Sequence, residues 1–423
     1  MADIFLPIAS LQIRRSHKFF AFAVSFFVFV VFFAGCSKKG SFAGGAADNG
    51  ALREVSFSAL EKTGSMSLRY AKQFSVDEYS VSGSDDAYES GEAGGLGDFS
   101  GTPVYRLVRT SVGDAFLLMP DGAAMPQNIP HNITPLQLPL KNVYLVATSA
   151  MDLINAVGAL GDIAFSGTKA KDWSVPEASA AMEAGKIAYA GKYSAPDYEL
   201  LTAGNCDLAI ESTMIYHKPE VKEKLEELGI PVFVEHSSYE AHPLGRLEWI
   251  KLYGVLFGKE AMAEQYYENE LSRIEPIMQK SNSGKSVAFF YVNSNGAVNV
   301  RKPDDYIVKM IKLAGGKYAL DNLFVEEDNA LSTVNMMMED FYVSCVDADI
   351  LIYNGTIDTA FSSIDDLFAK SELFHDFTAV KNGHVYFASK DFYQQSTGMA
   401  DFIEDLYKVL HGESGDFVYL TKL

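Results

Sequence analysis

His217, His236 and His242 stand close together in the chain, interleaved with Met214, Tyr216, Tyr239 and Arg246. Residues of these types support two chemistries. Three imidazoles and a carboxylate form the ligand set of a bare Zn²⁺ or Mn²⁺ ion; donors from further along the chain would then have to be His375 or His384. Aromatic faces with a guanidinium suit a flat, partly anionic metal chelate instead: rings supply apolar walls and arginine forks bind oxyanions. Trp173, Lys192, Tyr193, Tyr291, Arg301, Asn354 and Tyr393 have the chemistry to join that second set. No Gly-x-Ser-x-Gly, His-Glu-x-x-His or phosphate-loop pattern occurs, so nothing points to an armed nucleophile, a hydrolytic zinc or a nucleotide site. The expectation is a binding protein without a cofactor, not an enzyme.

The elements that must hold these residues follow an α/β rhythm from about residue 141, where strands and helices alternate. A helix over 151–160, ended by Gly161, precedes a strand at 163–166. A helix over 196–203 has Pro, Asp and Glu in its first turn, as helix starts prefer. A strand over 206–210, a helix over 218–228 stopped by Gly229, and a strand over 230–234 complete a first lobe, 141–245. The segments 191–193, 211–217 and 235–246 then fall in loops at strand ends, where α/β folds gather ligands. Helical spacing continues from Leu247 to Ile274, bounded by Pro276; about 30 residues at 1.5 Å each give a rod of ~45 Å within a linking region, 246–283.

After Gly284 the rhythm restarts as a second lobe, 284–423: a strand over 286–292, helices over 304–313 and 336–345, a strand over 349–353, a helix over 364–368, a strand over 385–387 and a last helix over 397–410. One echo links the halves. Pro196-Asp197-Tyr198-Glu199 opens a helix that leads to Asp207 and an apolar strand, and Met338-Glu339-Asp340 opens another that leads to Asp349 and an apolar strand. The predicted architecture is therefore two Rossmann-like α/β lobes bridged by a long helix. Trp249, Tyr253, Tyr266, Tyr267 and Met336 to Met338 read as packing residues, and Cys206 and Cys345 as buried free thiols. Residues 51–140 form a small β-rich extension with strand-like runs at 105–108 and 115–119; prolines 120, 126, 130, 135 and 139 forbid helix there.

The chain has 423 residues, 48% hydrophobic and 21% charged, with a net charge of −20. So acidic a chain is repelled by phosphate backbones, which excludes nucleic acid as a partner. Phe19 to Gly35 is uncharged, is preceded by Arg14, Arg15 and Lys18, and ends in Phe-Phe-Ala-Gly-Cys36. This is an export signal over 1–35, and small residues before a cysteine resemble a bacterial lipobox, with Cys36 as the lipidated residue and 36–50 as a tether. A retained anchor is the other reading, although the apolar run sits at the short limit for spanning a bilayer. Either way the folded part is held at the outer face of a cytoplasmic membrane.

The lipobox, the two-lobe plan and the order of three motifs resemble the helical-backbone periplasmic binding proteins of ABC importers, which carry iron–siderophores, haem and cobalamin. The motifs are Thr148-Ser149-Ala150-Met151-Asp152-Leu153-Ile154, the Pro196 to Ile210 unit, in which Cys206 replaces the usual Pro, and Leu225-Glu226-Glu227-Leu228-Gly229-Ile230-Pro231-Val232. The likeness covers about 141–411. It implies a monomer that traps an iron chelate, haem or cobamide in the interlobe cleft as cargo. It also implies docking on permease subunits through one surface acid per lobe, Glu199 and Glu339 by position, with Asp340 the alternative to Glu339. Metal-ion binding proteins share the helical linker, so the bare Zn²⁺ or Mn²⁺ reading stays open beside the chelate.

Overall fold

The computed structural model describes residues 55–82, 103–324, 332–358 and 361–423. The lipobox, Cys36 and residues 83–102 lie outside them.

The first part is a five-stranded sheet in sequential order: β1 (Leu60–Ser65), β2 (Phe74–Val81), β3 (Tyr105–Thr110), β4 (Ala115–Met119) and β5 (Thr134–Gln137). Strands β1 to β4 pair antiparallel and β5 joins β4 in parallel. Alternate residues of β3 and β4 serve two cores. Val108, Phe116 and Leu118 face the main body, and Tyr105, Leu107, Leu117 and Met119 build a separate cluster.

Lobe one contains β6 (Val143–Leu145), α1 (Thr148–Ala156), β7 (Ile163–Ser166), α2 (Pro176–Glu183), β8 (Ala188–Tyr189), the small hairpin β9 (Gly191–Lys192) and β10 (Ala195–Pro196), α3 (Tyr198–Ala203), β11 (Leu208–Ser212), α4 (Pro219–Glu227) and β12 (Val232–Glu235). Its sheet runs β12-β11-β6-β7-β8, all parallel. Strand order reverses between β6 and β11, so the loops after them open a crevice at the carboxyl ends.

Lobe two contains β13 (Ser286–Val292), β14 (Val298–Arg301), α7 (Tyr306–Leu313), β15 (Lys317–Tyr318), β16 (Thr333–Met336), α8 (Met338–Cys345), β17 (Ile350–Asn354), α9 (Ile364–Phe368), α10 (Thr378–Lys381), β18 (Val385–Ala388), α11 (Met399–His411) and β19 (Leu420–Lys422). Between the lobes lie α5 (Pro243–Phe257) and α6 (Glu260–Met278). The second sheet runs β16-β14-β13-β17-β18-β19, with β15 on the first half of β13.

The repeat read in the sequence has a physical basis. Asp207, just before β11, accepts hydrogen bonds from the Lys141 and Asn142 N–H groups at 2.9 and 3.1 Å, at the start of β6. Asp349, just before β17, does the same for Ser286 at the start of β13, 2.7 Å from its N–H. Each carboxylate satisfies the first amides of the neighbouring parallel strand, which would otherwise cost about 1–3 kcal/mol each if buried unpaired.

Three local expectations are corrected. The helical section is two helices, not one rod. Gly258 adopts φ 65°, the left-handed cap that ends α5, and the chain turns back. Lys251 on α5 pairs with Glu264 on α6 at 3.0 Å, and a Cβ on Gly254 would lie 2.7 Å from that of Ala263, so the pair packs antiparallel at close range. The connecting element is α6 alone, 19 residues or ~28 Å. It runs through Pro276 to Met278, because a proline in the last turn removes a single late hydrogen bond. Met336 ends a strand, Met337 is exposed and only Met338 enters the core.

Acid–base pairs fasten α6 on both sides. Arg106 and Arg69 of the first sheet reach Glu260 and Glu268 at 3.1 and 2.9 Å, and Arg273 reaches Glu404 on α11 at 3.1 Å. Trp249, Tyr253 and Tyr267 are fully buried, Tyr266 half-buried, and both described cysteines are buried free thiols.

Candidate functional site

The strand ends of lobe two gather three of the residues singled out by type. Asn354, the last residue of β17, is buried, and its side-chain oxygen accepts from the Tyr393 hydroxyl at 3.0 Å. The Arg301 guanidinium donates to the same phenol oxygen at 2.6 Å and lies 3.7 Å from the Asp305 carboxylate. Burial alone would weaken the Arg301 charge, but Tyr393 and Asp305 more than offset it, so the group stays cationic. Asp305 also caps α7, accepting from Ile307 N–H at 2.9 Å.

Arg246 joins this network to lobe one. It lies in the first turn of α5, and its guanidinium carbon sits 3.5 Å from the Tyr306 ring centre, a close cation–π contact. The same guanidinium donates to the Ser238 carbonyl and, through Nε, to the Glu240 carbonyl at 3.2 Å. Arg246 therefore holds the loop after β12 against the start of α7 rather than pairing with Glu248.

The lobe-one side of that loop is aromatic. Tyr216 and His236 are hydrogen-bonded at 3.0 Å, and the His236 and Tyr239 rings lie 5.9 Å apart. Met214, Tyr216 and Tyr239 are each about half exposed, at 46%, 48% and 45%. Grouped around His236 on adjacent loops, they leave a surface available to an apolar face. Burial, with Asp114 and Tyr239 nearby, pushes the Tyr216 phenol up to about 12, so it stays a neutral donor.

A second contact ties the lobes beyond Tyr393. Ser174 donates to Asp391 at 2.6 Å and receives from Gln395 at 2.7 Å, while Asp152 on α1 accepts from Thr397 N–H at 2.8 Å. Asp391, Gln395 and Thr397 had no signal in the sequence, because the partner through which each joins the lobes lies more than 200 residues away. Asp305 and Tyr306 were likewise missed, although the Asp–x–Ile helix start was there to be read.

Other candidates fall elsewhere. The Trp173 indole is turned into the lobe-one core, with its N–H 3.3 Å from the Ser166 hydroxyl, so it offers a ligand no face. Exposed Lys192 and half-buried Tyr193 lie on the hairpin before α3. His217 is exposed at the end of a 3₁₀ turn, and Tyr291 packs half-buried on β13. The three histidines do not converge. Both ring nitrogens of His236 are engaged, by the Val234 carbonyl at 2.7 Å and by Tyr216. His242 caps α5, stacks on Tyr70 at 4.4 Å, and is depressed to about 4 by burial and by Lys309. His375 stacks on Phe368. Among the described residues no group of three His, Cys, Asp or Glu side chains could hold a metal ion.

Glu199 and Glu339 are exposed in the first turns of α3 and α8, the two helices that lead into the Asp-capped strands. Glu199 borders a cavity of about 450 Å³ shared with Thr202, Lys224 and Leu228. Asp340 is also exposed beside Glu339.

Two α/β lobes, a connecting helix and polar strand ends facing one another define a substrate-binding protein. Residues 145–392 match the periplasmic binding protein family, and the chain belongs to it. It is similar to two lipoproteins of Methanocaldococcus jannaschii. One is 27% identical over 75% of this chain and 82% of its own length, the other 24% identical over 73% and 75%. Among solved structures, a periplasmic binding protein of Veillonella parvula superposes with a TM-score of 0.52 at 17% identity, over 64% of this chain and 91% of its own. A periplasmic haem-binding protein of Vibrio cholerae gives 0.51 at 18% identity, over 63% and 99%, and a catecholate-siderophore-binding protein of the same organism gives 0.50 at 16%, over 64% and 94%. At these identities the structures share the fold. The family and these neighbours are substrate-binding proteins, not enzymes.

Proposed function

We propose that the chain is the extracytoplasmic receptor of an ABC importer, capturing a metal chelate, namely an iron–siderophore, haem or cobalamin, between its lobes. The observation that carries the reading is Arg246. It packs on Tyr306 of lobe two and fixes the loop that bears Tyr239, so exposed aromatics on one side and the Tyr393–Asn354–Arg301 network on the other flank one joint. Met214, Tyr216 and Tyr239 supply apolar walls and Tyr393 a hydroxyl for the ligand's edge. Arg301 acts through Tyr393, since its own donors are engaged by protein. Haem and a catecholate siderophore, the ligands of two similar binding proteins, suit such a cleft. Cys36 is the proposed lipid attachment point, in keeping with the lipoprotein names of the archaeal relatives. Glu199 and Glu339 are the proposed permease contacts.

Native mass spectrometry with visible absorption, on protein purified from its host, tests this. A haem, corrin or ferric chelate released on denaturation is the expected result. A stoichiometric bare metal ion, or an uncoloured organic ligand, would overturn the chelate reading.

A further inference from the structure

The first sheet, which lies outside the family match, is bound to lobe one through its backbone. Glu248 on α5 accepts from the N–H groups of Arg69, Tyr70 and Ala71 at 2.8–3.1 Å, and Glu240 accepts from those of Lys72 and Gln73 at 2.8–2.9 Å and from the Trp249 indole at 3.0 Å. Both carboxylates are buried. Phe74 packs edge-on to Trp249, and Phe116 against Phe233 of β12. The segment between β1 and β2 is thus fixed at the residue that follows exposed Tyr239.

This seating aims one turn of the sheet at the aromatic loops. Ser111 bonds Gln73 through its N–H at 2.9 Å and again through its hydroxyl. Val112, at the tip of the β3–β4 turn, is 56% exposed. Gly113 takes φ 100°, which a side chain would resist, and so keeps the turn tight. Asp114 lies 3.8 Å from Lys222 in the first turn of α4 and close enough to Tyr216 for its charge to act on that phenol. Ser111 is thus tied through Gln73 to Glu240, the neighbour of Tyr239, and Asp114 to Lys222 on the helix that follows Tyr216, so the turn is held beside the loops that carry these aromatics.

We infer that the β3–β4 turn, Ser111 to Asp114, is a specificity element of the ligand site: Val112 extends the apolar wall for a flat chelate, and Asp114 disfavours ligands with an anionic edge. The inference rests on the chelate reading. Haemin, whose propionates are anionic, uncharged cyanocobalamin and ferric triscatecholate are the probes, titrated by quenching of the protein's intrinsic fluorescence, with melting temperature as the fold control. Val112→Glu places a carboxylate that a bound apolar face would desolvate, and is expected to weaken the bound probe about tenfold. Val418→Glu, a charge added at another exposed valine, is expected to leave it unchanged. Asp114→Asn is expected to shift the affinity ratio of an anionic to an uncharged probe toward the anionic one about threefold. A parent chain whose affinities neither turn substitution alters would overturn this inference and leave the chelate reading standing. A parent chain that binds none of the three probes would remove both.

Discussion

Glu211 is the residue whose state the fold controls most tightly. Strand alternation turns it to the same side of β11 as Ala209, into an apolar cluster with Tyr144, Val146 and Val234. It is fully buried and neither carboxyl oxygen has a hydrogen-bond partner. Tyr144, a phenol of the same cluster, donates to the Gly191 carbonyl at 2.8 Å instead. Burial raises the Glu211 carboxyl to about 8, so it is neutral at neutral pH. The sign follows from linkage: a carboxyl whose folded value lies above its unfolded one favours folding most at low pH and loses that contribution as pH rises through about 8. The penalty at pH 9 is roughly 3–5 kcal/mol, at ~1.4 kcal/mol per pH unit. Glu211→Gln keeps the shape without the ionisation, so its melting temperature should match the parent at pH 5 and exceed it at pH 9. Parallel pH curves for the two proteins would show that Glu211 is solvated. This environment was not legible in the sequence: Glu211 reads there as the first polar residue of a loop, and only pairing of β11 between β6 and β12 places it inside.

At the scale of elements, strands and helices of both lobes were readable because period and punctuation agree. Gly229 stops α4 where expected and α7 ends at Leu313 as predicted, whereas α1 ends at Ala156, beside left-handed Gly158, and the expected stop, Gly161, lies inside a 3₁₀ turn; β7, β13 and α9 fall on their predicted bounds. The α5–α6 hairpin was misread because Leu247 to Ile274 keeps one helical period across Gly258, and nothing in that period encodes a reversal. The attachment of the first sheet was invisible for another reason: Glu240 and Glu248 bind peptide N–H groups, which every sequence has, 167–179 residues away. Removing the Glu248 side chain strands three amides and leaves Lys251, 3.6 Å away and 5% exposed, with half-exposed Glu264, its one remaining carboxylate among the described residues, and the Tyr267 ring face. Glu248→Ala should therefore cost about 3–5 kcal/mol, as when one partner of a buried ion pair is removed. Hydrogen exchange should report the loss first at Arg69, Tyr70 and Ala71, ahead of lobe two. Uniform loss of protection across both lobes would mean that the sheet has no separate attachment.

For the whole molecule, the internal repeat places an exposed acid at equivalent points of both lobes. Glu199 and Glu339 each lie one helix upstream of an aspartate that caps a neighbouring strand. The repeat was legible because it rests on short local patterns, whereas the contacts between lobes, such as Ser174 with Asp391, join unrelated segments and left no such trace. In the docking role proposed for them, each acid would pair with a cationic site on the permease, and electrostatic pairing of that kind sets specificity and association rate more than raw affinity. Neither acid belongs to the ligand-facing set around Arg246, and both are solvent-exposed. Glu199→Arg with Glu339→Arg should therefore leave the melting temperature and probe affinity near those of the parent while abolishing uptake in cells that carry the cognate permease. Raising ionic strength should weaken association of the parent chain with that permease in the same direction, because the paired charges are screened over about 8–10 Å. Retained uptake in the double variant would remove these acids from the interface; if Asp340 substitutes for Glu339, uptake should fall only when Asp340 is reversed together with Glu199.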